Sequence, residues 1–131
     1  MTRRRLTPTE HDEQATLIKF ADIKAKQDPR WGMLVAIPNE GGSGRAGFLR
    51  QKRMKAEGQR AGFPDLVLFV STIDTSMPKL YYGLAIEMKS RNGRLRPEQK
   101  EWLKRLEEQG YKTAVCHSFE EAKKVIEDYL S

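Results

Sequence analysis

Two carboxylic acids and a lysine lie at the ends of two neighbouring apolar segments of this sequence. Asp65 directly follows Pro64 and opens the run "DLVLFV", whereas Glu87 and Lys89 close the run "LYYGLAIEMK". Burial of an unpaired carboxylate is costly, so an acid beside a buried strand needs either a turn or a compensating charge. These three side chains are therefore the first candidates for chemistry.

The two apolar runs are predicted to form an antiparallel pair around the polar segment that separates them. Partners in such a pair have a constant index sum, here about 152. Asp65 then lies opposite Glu87. By the same rule Val70 lies opposite Tyr82. Because side chains alternate along a strand, Lys89 shares a face with Glu87 and joins the two acids.

Two carboxylates that face each other on a sheet repel, so the predicted pair needs a cation. Mg²⁺ prefers oxygen ligands, takes one or two protein carboxylates and leaves positions for water and phosphate oxygens. It would polarise a phosphodiester and activate an attacking water, while Lys89 orients that water or stabilises developing charge. The alternative is that Asp65 is a turn residue, with Glu87 and Lys89 as an exposed pair on an edge strand.

Two predicted helices carry polar residues on the side that faces the sheet. In the first helix, the apolar stripe continues backwards by helical spacing to Gln14 and then Glu10. Glu10 either serves the site or completes a capping box with Thr7, and Glu13 is then the acid that matters. In the third helix, Gln99 begins the inward stripe, where its amide is either satisfied by nearby backbone or aimed at the site.

The hydrophobic pattern along the chain predicts an α/β fold, with a mixed central β-sheet flanked by α-helices in one domain that spans 1–131. Before the hairpin, the predicted elements are a helix from Thr7 to about Ala25, a strand before Pro38 and a helix from Arg45 to Glu57. After the hairpin, they are a helix from Pro97 to before Gly110, a strand at 111–117 and a last helix. This last helix is predicted to begin with a capping box of Ser118 and Glu121.

The second predicted helix is strongly basic. Phe48, Leu49 and Met54 are expected to face inward, and cationic side chains cover the rest of the helix: Arg45, Arg50, Lys52, Arg53 and Lys55. Together with the glycine-rich loop "NEGGSGRAG", this helix is predicted to contact DNA phosphates. The alternative is a solvated helix face beside a turn.

The overall charge suits a polyanionic partner, because Lys and Arg outnumber Asp and Glu by 24 to 18, a net charge of +6. Cys116 is interpreted as a small buried hydrophobe in a strand. His11 is expected at the surface and His117 in a local structural role, and the spacing of these residues does not fit a zinc site. No segment approaches membrane-spanning length, so the chain is expected to be soluble and intracellular.

Several motifs together resemble one nuclease family. "FPD" at 63–65 followed by "IEMK" at 86–89 matches the signature of the PD-(D/E)XK nucleases. The chain resembles their VRR-NUC branch, in its stand-alone small form, through four further motifs: "EHDEQ" at 10–14, "IPNEGG" at 37–42, "AGFPDL" at 61–66 and "LRPEQKEWL" at 95–103. This resemblance implies a restriction-endonuclease-like core over most of the chain.

The resemblance also implies the roles of individual residues. Asp65, Glu87 and the backbone carbonyl of Met88 would bind a catalytic Mg²⁺ or Mn²⁺. Lys89 would be the catalytic lysine. The remaining assignments are Glu10 as an additional metal-site acid and Gln99 as a supporting polar residue.

Members of this branch include structure-selective enzymes that act on branched DNA, and the small stand-alone forms, often from bacteriophages, resemble homodimers. A homodimer is also expected because one site cuts one strand, so symmetric incision of a duplex or junction needs two chains. The aromatic residues lie mostly on predicted core faces, which favours duplex or junction DNA over single strands. The sequence thus predicts a metal-dependent DNA endonuclease. The alternatives are a non-catalytic nucleic-acid-binding module, whose acids would repel phosphate unless a cation intervenes, or a subunit of a replication or repair complex.

Overall fold

A computed structural model describes residues 9–38 and 44–131 of the chain. Thr7 and residues 39–43 of the glycine-rich loop lie outside the described residues. The helices of this part are α1 (Glu10–Lys24), a short 3-10 helix (Pro29–Met33), α2 (Gly44–Ala56), α3 (Pro97–Glu108) and α4 (Phe119–Leu130). The strands are β1 (Leu34–Ala36), β2 (Leu66–Leu68), β3 (Thr72–Asp74), β4 (Lys79–Tyr81), β5 (Leu84–Met88) and β6 (Lys112–Cys116).

The central sheet is mixed, as predicted, with the strand order β1-β2-β5-β6. β2 is antiparallel to both β1 and β5, and β5 runs parallel to β6. Leu66 lies opposite Ile86 and Leu68 opposite Leu84, which is the predicted index sum. One position further along, this register sets Asp65 against Glu87.

The far end of the hairpin departs from the prediction. β3 and β4 form a separate two-stranded sheet in which Thr72 lies opposite Tyr81, a register shifted by one residue. The predicted pairing of Val70 with Tyr82 is wrong, because both backbone groups have other partners. The Val70 carbonyl accepts a hydrogen bond from the Tyr129 hydroxyl at 2.6 Å. The Tyr82 amide donates to the Gly110 carbonyl at 3.0 Å.

The hydrophobic core lies on one face of the central sheet, beneath α1 and α4. Leu66, Leu84, Ile86 and Met88 are buried there. Side chains alternate along β5, so Glu87 projects from the opposite face, where the start of α3 lies. The fold therefore holds the candidate acid on a strand whose other face is fixed by the core.

The start of α1 differs from the prediction. Thr9 is the N-cap, and its hydroxyl accepts a hydrogen bond from the Asp12 amide while the Asp12 carboxylate accepts one from the Thr9 amide. The second threonine of "TPTE" is thus the N-cap, whereas the predicted capping box of Thr7 with Glu10 involves a residue outside the described ones. Capping of α1 does not require the Glu10 carboxylate.

The orientation of α2 also differs from the prediction. Phe48 is 64% exposed and Leu49 is 53% exposed, so neither faces inward, and Met54 is half-buried. Gly47 is the buried residue of this helix. The physical reason is that the apolar residues of α2 do not recur at i, i+3 and i+4, so the helix has no continuous apolar stripe to bury.

The ends of the last two helices mostly follow the sequence signals. Pro97 begins α3, and Gly110 follows it with a φ of 91°. The Ser118 hydroxyl caps α4 by accepting from the Glu121 amide. The reciprocal half of the predicted box is wrong, because the Glu121 carboxylate accepts from the amide of His117 at 2.7 Å. Within the described ranges, no helix has both the length and the apolar character that crossing a membrane requires.

Candidate active site

Asp65 is fixed by backbone contacts on both sides. Its carbonyl accepts a hydrogen bond from the Ile37 amide at 2.8 Å, which extends the pairing of β1 with β2. Its side-chain Oδ2 accepts from the Met88 amide at 2.8 Å, across to β5. Asp65 is therefore tied to the central sheet at the level of Glu87, and the interpretation of this acid as a turn residue alone is wrong.

Glu87 is buried, with 3% of its surface exposed, and so is Lys89, with 8% exposed. The alternative of an exposed edge pair is therefore wrong. The Lys89 amide donates to the Cys116 carbonyl at 2.8 Å, which continues the pairing of β5 with β6. The Lys89 ammonium lies 3.6 Å from Glu87 Oε1. β5 lies between β2 and β6 in the sheet, so Glu87 and the following Lys89 are held on a central strand rather than on an edge strand.

The two oxygens of the Glu87 carboxylate have different environments. Oε1 accepts a hydrogen bond from Gln99 Nε2 at 2.8 Å, in addition to its ion pair with Lys89. Oε2 is buried and has no hydrogen-bond partner within the described residues. A buried carboxylate oxygen without a partner is costly, so the site lacks one favourable interaction that a cation would supply.

Gln99 connects the start of α3 to this acid. Its side-chain Oε1 accepts from the Arg96 amide at 2.8 Å, and its Nε2 donates to Glu87. The sequence left open whether this amide bonds to nearby backbone or points at the site. It does both, because its oxygen caps the helix backbone and its nitrogen reaches Glu87. Gln99 is 5% exposed, so burial also restricts its orientation.

The pKa values of both acids are raised. For Glu87 the pKa rises to about 7, first because burial disfavours the charged form and then because Asp65 is close. Burial likewise raises the pKa of Asp65, against the opposing effect of the Met88 amide, and Glu10 adds to the rise. The pair therefore resists carrying two negative charges in the absence of a cation.

The acids open into a cleft of about 780 Å³. Glu10, His11 and Gln14 line it from the start of α1. Glu13 does not line this cleft, and its carboxylate accepts from the Phe119 amide at 2.8 Å. The sequence left open whether Glu10 or Glu13 serves the site. Glu10 is the one that lines the cleft with Asp65, whereas Glu13 supports the start of α4.

Of the cationic residues of α2, only Lys55 lines the cleft among the described residues. Lys55 faces the cleft together with Gln51, one helical turn earlier. The predicted DNA-binding residues are exposed in the structure but lie outside the cleft lining: Arg45, Arg50, Lys52 and Arg53. Arg96 lines the cleft from the start of α3 and was missed as a site residue, although its position directly before Pro97 marks it as a helix-start residue.

Cys116 and His117 do not take part in this arrangement. Cys116 is fully buried, and burial raises its thiol pKa to about 12, which confirms its interpretation as a small hydrophobe. His117 Nε2 lies 3.2 Å from the Gly93 carbonyl, consistent with a local role. Among residues 9–38 and 44–131, no three His, Cys, Asp or Glu side chains form a metal-binding group.

The donor set nevertheless fits a hard divalent cation. Two carboxylates from Asp65 and Glu87, one with a partnerless buried oxygen, meet the one or two protein ligands that Mg²⁺ typically takes. The open cleft leaves space for water and for phosphate oxygens. Thiolate and imidazole ligands are absent from this acid pair, so its chemistry favours oxygen-preferring ions over zinc.

Comparison with known proteins identifies the family of this chain. A family model described as the VRR-NUC domain matches residues 9–120, which include every candidate site residue named above. A solved structure titled a VRR_NUC domain protein superimposes with a TM-score of 0.73 and 26% sequence identity, covering 97% of this chain and 90% of that chain. None of the curated proteins compared with the chain matches it. The chain therefore belongs to the VRR-NUC domain family, a nuclease-type family.

Proposed function

We propose that this chain is a Mg²⁺- or Mn²⁺-dependent DNA endonuclease. The observation that carries the proposal is the pair of buried Glu87 and half-buried Asp65, with a buried Lys89 beside it and one Glu87 oxygen that has no hydrogen-bond partner among the described residues. Membership of the VRR-NUC family supports a nuclease activity for this site. Burial of Glu87 and Lys89 beside the half-buried Asp65 has a stability cost that a catalytic role explains.

The residues that would hold the cation are Asp65 and Glu87, with the Met88 carbonyl as a further oxygen ligand. Glu10 lines the same cleft and would join these ligands by moving closer to them. When bound, such a cation supplies polarisation of the phosphodiester and activation of the attacking water. Gln99 positions the Glu87 carboxylate through its hydrogen bond to Oε1, so that Oε2 is left for the ligand. The Met88 amide positions the Asp65 carboxylate by donating to Oδ2, so that Oδ1 is left for the ligand.

Lys89 would act on the phosphate directly. Its ammonium is paired with Glu87 at 3.6 Å and lines the cleft, so a phosphate bound there would meet a fixed positive charge. Phosphodiester hydrolysis places additional negative charge on the phosphoryl oxygens, and a preorganised cation in a partly dry site stabilises it. The same ammonium is placed to orient the attacking water.

The DNA would run across the cleft between α2 and the start of α3. Lys55 and Arg96 line the cleft from these two sides. The exposed cations of α2 extend the positive surface beyond it: Arg45, Arg50, Lys52 and Arg53. Such charges bind phosphates without regard to sequence, as expected of an enzyme that selects branched DNA such as flaps or four-way junctions by its shape. We propose a homodimer, because each chain offers one such acid pair in its described residues.

A panel of labelled DNA substrates tests the proposed activity. Linear duplex, flap and four-way junction DNA are incubated with the protein in Mg²⁺, in Mn²⁺ and in EDTA. We expect incision with either metal, fastest on a branched substrate, and none in EDTA. Tight binding without incision in any metal would contradict the proposal and favour a non-catalytic binding module instead.

A further inference from the structure

A second cavity, of about 480 Å³, adjoins the catalytic cleft. Its walls are mainly apolar and include Met54 at the end of α2 and Trp102 on α3. Ile37, Pro38, Gln59 and Phe63 line both spaces, so the two are adjacent. Phe63 precedes the proposed metal ligand Asp65 by two residues, which places the shared wall next to the acids.

Two aromatic rings give this cavity a surface suited to planar ligands. The rings of Phe63 and Trp102 meet edge to face, with centroids 5.1 Å apart. The Arg105 guanidinium lies 4.3 Å from the centre of the indole ring and helps to fix its orientation. Both aromatic residues are only half-buried, whereas Trp31 is 3% exposed in the core. Each ring therefore has exposed surface that a ligand in the cavity can contact.

We propose that this cavity binds one unpaired nucleobase of the DNA whose phosphate occupies the catalytic cleft. The inference rests on the proposed function, since it needs DNA in the adjoining cleft. Aromatic side chains stack on bases of any sequence because every base has a π-face. Gln59 and Arg60 at the rim offer hydrogen-bonding groups to the polar edge of the base.

This occupant follows from the position and the charge of the cavity. A base is attached to the backbone beside its own phosphate, so a phosphate near Asp65 brings a neighbouring base to the shared wall formed by Phe63. An apolar peptide would fit the walls, but it would not explain why the cavity lies directly beside a cleft that presents Lys55 and Arg96 to phosphates. Paired bases stay stacked in duplex DNA, so the cavity favours DNA with an unpaired nucleotide, as at a branch point.

Binding to bulged DNA tests the inference without relying on cleavage. Two duplexes each contain a single unpaired nucleotide, one with a normal base and one with an abasic sugar, and Ca²⁺ replaces Mg²⁺ during anisotropy titrations. The wild-type chain is expected to bind the base-containing bulge about tenfold more tightly, the size of effect that stacking on an aromatic side chain produces. Trp102→Leu is expected to bind both duplexes equally. Tyr82→Leu, which changes an exposed aromatic residue outside both cavities, is expected to keep the preference.

A measurement on the unaltered chain guards against misfolding of the variant. Trp31 is buried, so a change in tryptophan fluorescence on DNA binding reports mainly on Trp102. The base-containing bulge is expected to quench this fluorescence more than the abasic bulge does. Equal affinity and equal quenching for the two duplexes would overturn the inference, as would a full preference retained by folded Trp102→Leu. If the wild-type chain shows the base preference but cleaves no DNA in Mg²⁺ or Mn²⁺, only the proposed endonuclease activity is contradicted.

Discussion

The carboxylate of Glu87 has one oxygen that is fully engaged and one that is buried without a partner in the described residues. Asp65 faces it from the neighbouring strand and adds to the cost of its negative charge. Such an arrangement is unfavourable for stability alone, because a buried and a half-buried carboxylate of like charge repel. A cation bound between the two acids would offset this repulsion, because it attracts both negative charges.

Asp65→Asn tests this at the level of stability. The variant keeps an oxygen that can accept the hydrogen bond from the Met88 amide, and it loses the repulsion with Glu87. Without metal, its unfolding temperature is expected to equal or exceed that of the wild type. Mg²⁺ or Mn²⁺ should raise the unfolding temperature of the wild type, since a ligand that binds only the folded state stabilises it, and should leave the variant unchanged.

The matched control for this experiment is Glu127→Gln, which neutralises an exposed acid on α4 outside the cleft. It should respond to both metals as the wild type does. An Asp65→Asn variant that metal stabilises as strongly as the wild type would remove Asp65 from the metal site. The readout is differential scanning fluorimetry at matched metal concentrations.

The raised pKa of Glu87 predicts how stability depends on pH. Its folded pKa of about 7 exceeds the ordinary value of 4.5, so the folded chain holds the proton more tightly than the unfolded chain does. The contribution of this group to stability is therefore present below about pH 4.5 and is lost as the pH rises to about 7. Metal competes with this proton, so stabilisation by Mg²⁺ should be larger at about pH 8 than at about pH 5.5.

Glu87→Gln isolates this effect, because glutamine does not titrate while other groups in the chain still do. The difference in unfolding temperature between the wild type and this variant should change across the same pH range, and Mg²⁺ should not stabilise the variant at either pH. Equal stabilisation of the wild type by Mg²⁺ at both pH values would contradict the assigned role of Glu87.

At the scale of elements, the site depends on a close approach between the segment before β2 and the start of α3. Gly62 has a φ of 84°, and a Cβ there would lie 2.8 Å from the backbone carbonyl of Glu98. Glu98 directly precedes Gln99, so this approach sets the position from which Gln99 reaches Glu87. Because glycine has no side chain, the two backbones can meet closely enough to align α3 with the acids.

Gly62→Ala should disturb both stability and the site. Gly58→Ala is the matched control, because Gly58 also has a positive φ, of 108°, but open space where a Cβ would lie. The control should lose about 1 kcal/mol through the left-handed backbone alone. Gly62→Ala should lose about 3 kcal/mol, because a clash with backbone adds to the same strain. Urea unfolding measures both, and equal losses would show that the close approach is unimportant.

The exposed face of α2 is expected to make a separate contribution to DNA binding. Neutralisation of Arg50, Lys52 and Arg53 together should weaken binding to all DNA sequences. It should also reduce the slope of log affinity against log salt concentration by about 0.9 for each DNA phosphate that these side chains neutralise in the wild type. Anisotropy titrations at several salt concentrations measure this slope.

The control replaces three exposed lysines that lie outside the cleft lining, Lys19 and Lys26 near α1 and Lys124 on α4, with glutamine. It removes the same net charge from a different surface. If both triple variants reduce the slope equally, only the overall charge matters and α2 has no specific place in the interface.

At the scale of the whole molecule, the features that could be predicted from sequence were those governed by strict periodicity. The antiparallel index sum set Asp65 against Glu87 because β2 and β5 pair without a bulge. Alternation along β5 placed Lys89 beside Glu87. The identity of the acid pair followed from these two regularities and from the buried character of the strands.

The features that could not be predicted depend on contacts between distant segments or on ambiguous local signals. Gly62 and Glu98 approach each other although they are 36 positions apart in the sequence (98 minus 62). No local sequence pattern predicts this contact. The orientation of α2 could not be predicted, because the helix has no apolar stripe. The cavity beside Trp102 is likewise formed by three separate segments, so sequence alone placed this residue in the core.

Oligomeric state also belongs to this scale. One acid pair cuts one strand, so paired incisions across a junction call for two chains related by a two-fold axis. We therefore expect light scattering at micromolar concentration to give a mass of about twice the 15.1 kDa of one chain. A mass near that of one chain, both free and bound to junction DNA, would contradict the homodimer and indicate an enzyme that nicks one strand.

Single-turnover incision of a labelled four-way junction tests the central claim most directly. The wild type and Glu127→Gln should cut the junction at similar rates in Mg²⁺ or Mn²⁺ and should not cut it in EDTA. Asp65→Asn should be slower by about a hundredfold or more, since loss of metal-dependent charge stabilisation is worth several kcal/mol. Incision in EDTA, or incision by folded Asp65→Asn at the wild-type rate, would contradict the assignment of Asp65 and Glu87 as the metal-dependent active site.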